Sequence, residues 1–239
     1  RFHLLEESTD QYMVPARIGV GWGDAYINLH RHDWGTTEGQ IQQPWNLAYK
    51  GVAYANMVCD ICGDTDSEMR AQARFFRAMF YYHLLDMFGN PPLQTTQNFE
   101  LGYLPEQVGT EKLYNWLVDE FKYVEDHITS NKDGWGNKAA AQMALAKLYL
   151  NKNAYLGTTG NDGFEKALEY VNKVIASGEY SLAPSYSDCF KAGSKNCPET
   201  IFCIPGDQTH TSQFGLQSYC FLQTGLLAYN STAAGYNDS

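Results

Sequence analysis

The chain contains 239 residues, of which 44% are hydrophobic, and its 27 acidic and 17 basic residues give a formal net charge of −10. This length and composition allow a sizeable core in one large domain or two small ones. The acidity argues against nucleic-acid binding, which needs clustered lysine and arginine. No apolar run reaches the roughly 20 residues that a membrane-spanning helix needs, and the first residues lack the apolar segment of a signal peptide.

Apolar residues recur at helical spacing in five consecutive segments separated by short polar or glycine-rich breaks, which predicts five helices. The segments are 44–63, 66–88, 110–129, 137–151 and 163–177. The second segment has the clearest ends, because Asp66 or Ser67 is a candidate N-cap and Gly89, followed by two prolines, stops the helix. Asn137 is the candidate cap of the fourth. The last two helices carry alanines that admit large residues from a partner helix, which makes the pair similar to a tetratricopeptide unit.

Two long segments, 18–43 and 206–239, have no helical periodicity and combine aromatic rings with glycine and polar residues. We expect them to be loops, and loops longer than about 12–15 residues are usually functional or disordered. Residues 199–204, with the sequence ETIFCI, predict one short buried strand.

One helix also carries a recognisable pattern between residues 70 and 93. The positions that fit it are Ala73, Phe75, Arg77, Ala78, Tyr81, Leu84, Phe88, Gly89, Pro92 and Leu93. This pattern resembles the signature helix of SusD/RagB-like proteins, the surface glycan-binding lipoproteins of outer-membrane nutrient-uptake systems. Residues 45–56, 137–150 and 164–182 follow the same family's order and spacing, so the chain is identified as a SusD/RagB-like protein.

The resemblance implies a mainly α fold of tetratricopeptide-like helical hairpins, at 44–88 and 137–177, with long irregular loops and little β structure. It implies a single SusD-like domain fragment over 1–239, because family members are roughly twice as long and carry a lipid anchor that would lie outside this fragment. The expected location is the cell surface of the outer membrane. The expected role is non-catalytic binding of a glycan and its delivery to a SusC-like TonB-dependent transporter. No cofactor is expected, and a structural calcium ion is left open.

Sugar binding needs ring faces that cover apolar C–H patches and planar polar groups that bond hydroxyls, both placed on loops held by a rigid frame. The segments 18–43 and 206–239 offer both kinds of group, and the family places its ligand site in loops at corresponding regions. The candidate ligand-binding residues are Trp22, Asp24, Tyr26, Asn28, Arg31, Trp34, Tyr219 and Tyr236. An alternative is that one or two of these rings pack the loop onto the helices.

Three other functions remain as alternatives. A RagB-like relative would bind peptide instead of glycan, and a tetratricopeptide-like scaffold would bind protein through its helix grooves. A glycoside hydrolase would need two carboxylates about 5 to 9.5 Å apart across a cleft. The adjacent acidic pairs of this chain fall mostly on helices, where neighbouring side chains point about 100° apart, so we do not expect an enzyme.

The cysteine and histidine patterns are weaker signals. Cys59 and Cys62 are interpreted as two buried thiols on one helical face, because no second Cys-x-x-Cys pair accompanies them. In an oxidising compartment, Cys189 and Cys197 form the disulfide to test first. His30 and His32 lie close in sequence, but no third metal ligand is evident, so an exposed loop is favoured over a metal site.

Overall fold

The computed structural model describes residues 2–10, 24–65, 67–131, 134–190 and 197–204, and these segments form helices joined by loops. The α-helices of the described segments are α1 (Phe2–Glu6), α2 (Asp24–Arg31), α3 (Gly39–Cys62), α4 (Glu68–Phe88), α5 (Thr110–His127), α6 (Lys138–Leu150), α7 (Lys152–Leu156) and α8 (Asp162–Ser177). A 3₁₀ helix follows at Tyr186–Phe190. The mainly α fold expected from the sequence is confirmed. None of the described helices is both long and apolar enough to cross a bilayer.

Local hydrogen bonds and backbone conformation define both ends of α4 and the start of α6, as the sequence predicts. The Ser67 hydroxyl oxygen accepts a hydrogen bond from the Arg70 backbone N–H (3.2 Å), which caps the start of α4. Gly89 ends α4 with a φ of 74°, a conformation that favours glycine, and its N–H donates to the Leu85 carbonyl. Asn137 caps α6 by accepting from the Ala140 N–H at 2.8 Å.

The five long helices pack in chain order. α3 lies against α4, α4 against α5, α5 against α6, and α6 against α8. The core between them is built from large apolar side chains, including Phe75, Tyr81, Leu84, Phe121 and Leu145, each fully buried. The first two and the last two of the five predicted helices therefore form the hairpins α3–α4 and α6–α8. Helix α5 packs against α4 and α6 and connects the two hairpins.

The first hairpin is antiparallel, as its side-chain contacts show. The Trp45 ring, near the start of α3, packs edge-on against Phe88 at the end of α4, with ring centroids 5.0 Å apart. Asn56, further along α3, accepts a hydrogen bond from Arg77 in the middle of α4. Trp45 and Asn56 thus have structural roles in this hairpin.

Two expectations for irregular and extended segments are wrong. Part of the predicted loop 18–43 is helical, because α2 occupies its middle and α3 begins at Gly39, which places Pro44 inside the helix and not at its start. The buried Leu29 side chain holds α2 against the rest of the protein.

The predicted strand at 199–204 does not form. Its apolar side chains pack on the helices, with the Phe202 ring centroid 5.5 Å from that of Phe75. Asn137 donates a side-chain hydrogen bond to the Ile201 carbonyl at 2.7 Å. The segment therefore obtains its partners from α4 and the start of α6, and no neighbouring strand lies within the described residues.

Candidate functional site

Four of the predicted ligand-binding residues have no described side chain. Trp22, Tyr219 and Tyr236 lie outside the described residues, and Asp24 is known only as the first residue of α2. Their role in ligand binding stays a prediction.

The other four predicted residues lie on or just after α2. Tyr26 and Asn28 are half-buried on the helix, and Arg31 is exposed at its end. Trp34 follows in an irregular segment with 39% of its surface exposed, and its ring centroid lies 5.3 Å from that of His32. The structure therefore brings Arg31 and Trp34 to one exposed end of α2 and leaves the Trp34 ring accessible to a ligand.

The His32 side chain next to Trp34 is held in place by a polar contact. His32 Nε2 lies 2.7 Å from the Ser8 carbonyl oxygen, and His32 adopts a positive φ of 56° that directs the chain away from α2. In the described part of the chain, no three histidine, cysteine, aspartate or glutamate side chains gather closely enough to hold a metal ion.

A second exposed aromatic surface lies in the loop between α4 and α5, which the sequence analysis did not single out. The base of this loop is closed by Asn90, whose side-chain oxygen accepts from the Gly109 N–H (2.9 Å) and whose carbonyl accepts from Gln107 Nε2 (2.8 Å). Pro92 pairs with Gln107 in an antiparallel bridge. The residues between Pro92 and Gln107 therefore form one loop that is closed at its base.

The surface of this loop carries an open cleft of about 600 Å³, which we call the 93–103 cleft. Its lining residues are Leu93, Gln94, Thr95, Thr96, Asn98, Phe99, Glu100, Leu101, Gly102 and Tyr103. A volume of this order is typical of small-molecule sites, which span roughly 300–1,000 Å³.

Buried polar groups fix the inner side of the cleft to the helices. The Tyr81 hydroxyl donates to the Gln94 carbonyl (3.0 Å) and accepts from the Gln94 N–H (2.7 Å). Burial raises the pKa of Tyr81 to about 12, so the hydroxyl stays protonated and remains a donor. On α3, Asp60 accepts from the Thr96 hydroxyl and from the Gln97 N–H (2.7 Å).

The outer side of the cleft carries two half-exposed rings. Phe99 is 47% exposed and Tyr103 is 49% exposed, and their ring centroids lie 5.7 Å apart with an angle of 33° between the planes. Leu101 and Leu104 are still more exposed. The detectable signal in the sequence is a Phe-x-x-x-Tyr pair in a loop rich in glutamine, asparagine and threonine, the same combination of rings and polar residues that marks segments 18–43 and 206–239.

A cluster of charged residues lies beside the cleft and links the packed helices by hydrogen bonds. Glu120 on α5 accepts two hydrogen bonds from Arg74, at 2.6 and 3.2 Å, and one from Arg77 at 2.9 Å. Arg77 also donates to the Asn56 side chain and to the Thr95 carbonyl. Glu120 therefore joins α5 to α4, and Arg77 extends this structural cluster to α3 and the loop, while the carboxylate oxygens are occupied by guanidinium donors.

The two exposed aromatic surfaces are associated with different parts of α3. Trp34 precedes the first turn of α3, whereas the 93–103 cleft is bonded to Asn56 and Asp60 near the other end of that helix. At a rise of 1.5 Å per residue, the intervening length of α3 corresponds to roughly 30 Å.

Comparison with known proteins identifies the family. A SusD-like family model, described as "Starch-binding associating with outer membrane", matches residues 6–150, which is more than half of the chain. The chain belongs to the SusD-like family. The starch-binding protein SusD of Bacteroides thetaiotaomicron is 35% identical over 183 residues, which cover 72% of this chain and 32% of that protein. This chain thus spans about a third of the length of that SusD protein.

Two solved structures show the same fold. A structure described as containing a xylogluco-oligosaccharide has a TM-score of 0.68 at 22% identity, covering 77% of this chain and 39% of that one. Surface glycan-binding protein A from Bacteroides uniformis has a TM-score of 0.60 at 23% identity, covering 74% of this chain and 41% of that one. At these identities the likeness shows the helical fold alone.

Proposed function

We propose that this SusD-like protein binds oligosaccharides or polysaccharides at the cell surface without cleaving them. It delivers them to a SusC-like, TonB-dependent transporter of the outer membrane. The observation that carries the proposal is the family match over residues 6–150, whose description is starch binding in association with the outer membrane. A lipid anchor outside the present chain would hold the protein at the membrane.

The exposed Trp34 ring supports sugar binding. A tryptophan offers a flat apolar face that covers the C–H patch of a sugar, and the exposed Arg31 and half-buried Asn28 supply planar donors for hydroxyls. The buried Leu29 side chain and the contact of His32 Nε2 with the Ser8 carbonyl limit the motion of this surface, which lowers the entropy that binding would otherwise cost. We propose that Trp22, Asp24, Tyr26, Tyr219 and Tyr236 complete the ligand-binding surface.

Delivery to a transporter requires a face for protein contact, and α8 offers one. Phe164, Leu168 and Ile175 are all exposed on α8, whereas Ala167 and Val174 of the same helix are buried. Exposed apolar stripes of this kind mark interaction surfaces. We infer that this stripe packs against a protein partner or against another part of the full-length protein.

The test is native affinity electrophoresis in gels that contain soluble starch, xyloglucan or other neutral polysaccharides. We expect retardation by at least one polysaccharide, and weaker retardation for Trp34→Ala. The matched control is Tyr54→Ala, which removes an exposed ring from the outer face of α3 and is expected to migrate as the wild type does.

Each other outcome has a defined meaning. Absence of retardation by every polysaccharide, together with binding of peptides, would replace the proposal by the RagB-like peptide-binding function. Release of reducing sugar by the wild-type protein would show that it is an enzyme. Loss of folding in Trp34→Ala, measured by circular dichroism, would mean that the ring is a packing residue.

A further inference from the structure

The loop between α4 and α5 exposes more apolar surface than a solvated turn requires. Phe99, Leu101, Tyr103 and Leu104 are all exposed within six consecutive positions. Monomeric proteins rarely leave a contiguous apolar patch of this kind without a binding role. The loop is also anchored at its base and along its inner side, so the exposure belongs to a fixed surface.

The backbone places the two rings of this loop side by side. The Tyr103 N–H donates to the Glu100 carbonyl at 3.1 Å, which closes a turn through residues 100–103. Gly102 occupies this turn with a φ of 89°, a value that L side chains rarely adopt. The turn brings Tyr103 back beside Phe99, so that the rings form a pair with a 5.7 Å centroid separation.

The polar groups of the cleft suit a ligand with many hydroxyls and no charge. Gln94 and Asn98 place side-chain amide groups in the lining, whereas the Thr96 hydroxyl is bonded to Asp60 and Gln94 Nε2 donates to the Thr96 carbonyl. The lining residues, all within the described part of the chain, include the carboxylate of Glu100 and neither lysine nor arginine. An anionic ligand needs guanidinium or ammonium partners and would be repelled by Glu100 and by the net charge of −10.

We propose that Phe99 and Tyr103 form a second sugar-stacking subsite, which holds an uncharged oligosaccharide against the polar wall of the 93–103 cleft. This inference rests on the proposed glycan-binding function and assigns it a second location, beside Asn56 and Asp60 of α3 and not before the first turn of that helix. A polysaccharide that occupied both surfaces would bind with higher avidity than a short ligand that occupies one.

The ring variants Phe99→Ala and Tyr103→Ala test the assignment, with soluble starch and xyloglucan as neutral probes and polygalacturonate as the anionic probe. We expect each variant to weaken the binding of a neutral polysaccharide by about two- to tenfold, because each ring contributes one stacking face. Tyr103→Phe keeps the ring and is expected to bind within about twofold of the wild type. Both rings are half-exposed, so thermal melts of the variants are expected to match the wild type.

Leu101→Ala is the matched control, because it removes an exposed apolar side chain from the same loop without removing a ring. Wild-type affinity in Leu101→Ala supports stacking. An equal loss in Leu101→Ala and in the ring variants would show a general apolar contact and overturn the subsite. Binding of polygalacturonate as tight as that of the neutral probes would overturn the assignment to uncharged sugars.

The failure of this inference and that of the proposed function are distinguishable. If the wild type binds a neutral polysaccharide and Trp34→Ala weakens it, while both ring variants bind as the wild type does, the second subsite is wrong and the proposed function stands. If the wild type binds no polysaccharide, both are wrong.

Discussion

Replacement of Glu120 by alanine tests whether the charged cluster between α3, α4 and α5 stabilises the frame. Glu120 is 4% exposed and accepts three hydrogen bonds from Arg74 and Arg77. Arg74 lies over the Tyr123 ring at 3.4 Å and keeps that contact when the carboxylate is removed. Arg77 has a side chain only 7% exposed, so its charge is left in the core with two neutral acceptors, Asn56 and the Thr95 carbonyl.

The magnitude follows from this arrangement. Breaking a buried ion pair by removing one partner costs about 3–5 kcal/mol, because the remaining charge is uncompensated. We place Glu120→Ala near the lower end, at about 3 kcal/mol, because Arg77 retains its neutral acceptors. With a urea m-value of about 2 kcal/mol per molar, the unfolding midpoint falls by about 1.5 M.

Urea unfolding followed by circular dichroism measures this shift, with Asp119→Ala as the control. Asp119 is the exposed neighbour of Glu120 on α5, and its replacement is expected to change stability by no more than about 0.5 kcal/mol. The double variant Arg77→Met/Glu120→Leu removes both charges and is expected to recover part of the loss. A decrease below about 1 kcal/mol for Glu120→Ala, or one equal to that of the control, would refute the structural role of the cluster.

Three further predictions concern packing, pH and oxidation. Gly136→Ala places a methyl group against the fully buried Phe75 ring, and urea unfolding is expected to show a loss of about 1–3 kcal/mol. Burial opposes ionisation of Glu68, but hydrogen bonds donated to its carboxylate outweigh this and lower its pKa. The stability advantage of wild type over Glu68→Gln is therefore present above the ordinary glutamate pKa of about 4.3 and shrinks at lower pH in thermal melts. The Sγ atoms of Cys189 and Cys197 lie 3.3 Å apart, so a disulfide donor such as oxidised glutathione is expected to link them, with a loss of two hydrogens by intact mass spectrometry.

Each of these predictions has its own control. Gly35→Ala meets no neighbouring atom and is expected to leave stability nearly unchanged, so an equal effect at Gly136 would contradict the steric argument. A constant difference between wild type and Glu68→Gln from pH 7 to pH 3 would contradict the pKa shift. Cys189→Ser removes the proposed disulfide, and an unchanged mass loss in that variant would assign the oxidation to other cysteines.

The sequence predicts the long helices well because their ends depend on neighbouring residues. Ser67 caps α4 through a bond to a residue three positions away, and Gly89 ends it through its own backbone conformation. Asn137 starts α6 in the same local manner. Such interactions lie within one helical turn, so their residue types are sufficient to indicate them.

The errors concern segments whose conformation depends on distant residues. An eight-residue helix such as α2 is marginal alone, and it forms here with Leu29 buried against the rest of the protein. Phe202 has the pattern of a strand residue but packs on Phe75, which is far away in sequence. No periodicity can indicate contacts of this kind.

The candidate site was predictable only in part. An aromatic residue in a glycine-rich segment suggested Trp34, and the structure places its ring at the surface. The pairing of Phe99 with Tyr103 depends on a turn around Gly102 and on the anchoring of Gln94 by Tyr81. The sequence contains these residues, but their proximity is a property of the folded loop.

The closed base of the loop between α4 and α5 has a consequence for how this protein can diversify. Because Asn90 and the Pro92–Gln107 bridge join the two ends of the loop, and Gln94, Thr95 and Thr96 are bonded to the helices, replacement of the outer residues 99–104 is expected to leave the spacing between α4 and α5 unchanged. Under the proposed second subsite, a foreign sequence grafted at residues 99–104 would change ligand preference in a single step. Natural selection could therefore change the ligand preference of the loop while the helical fold stays the same.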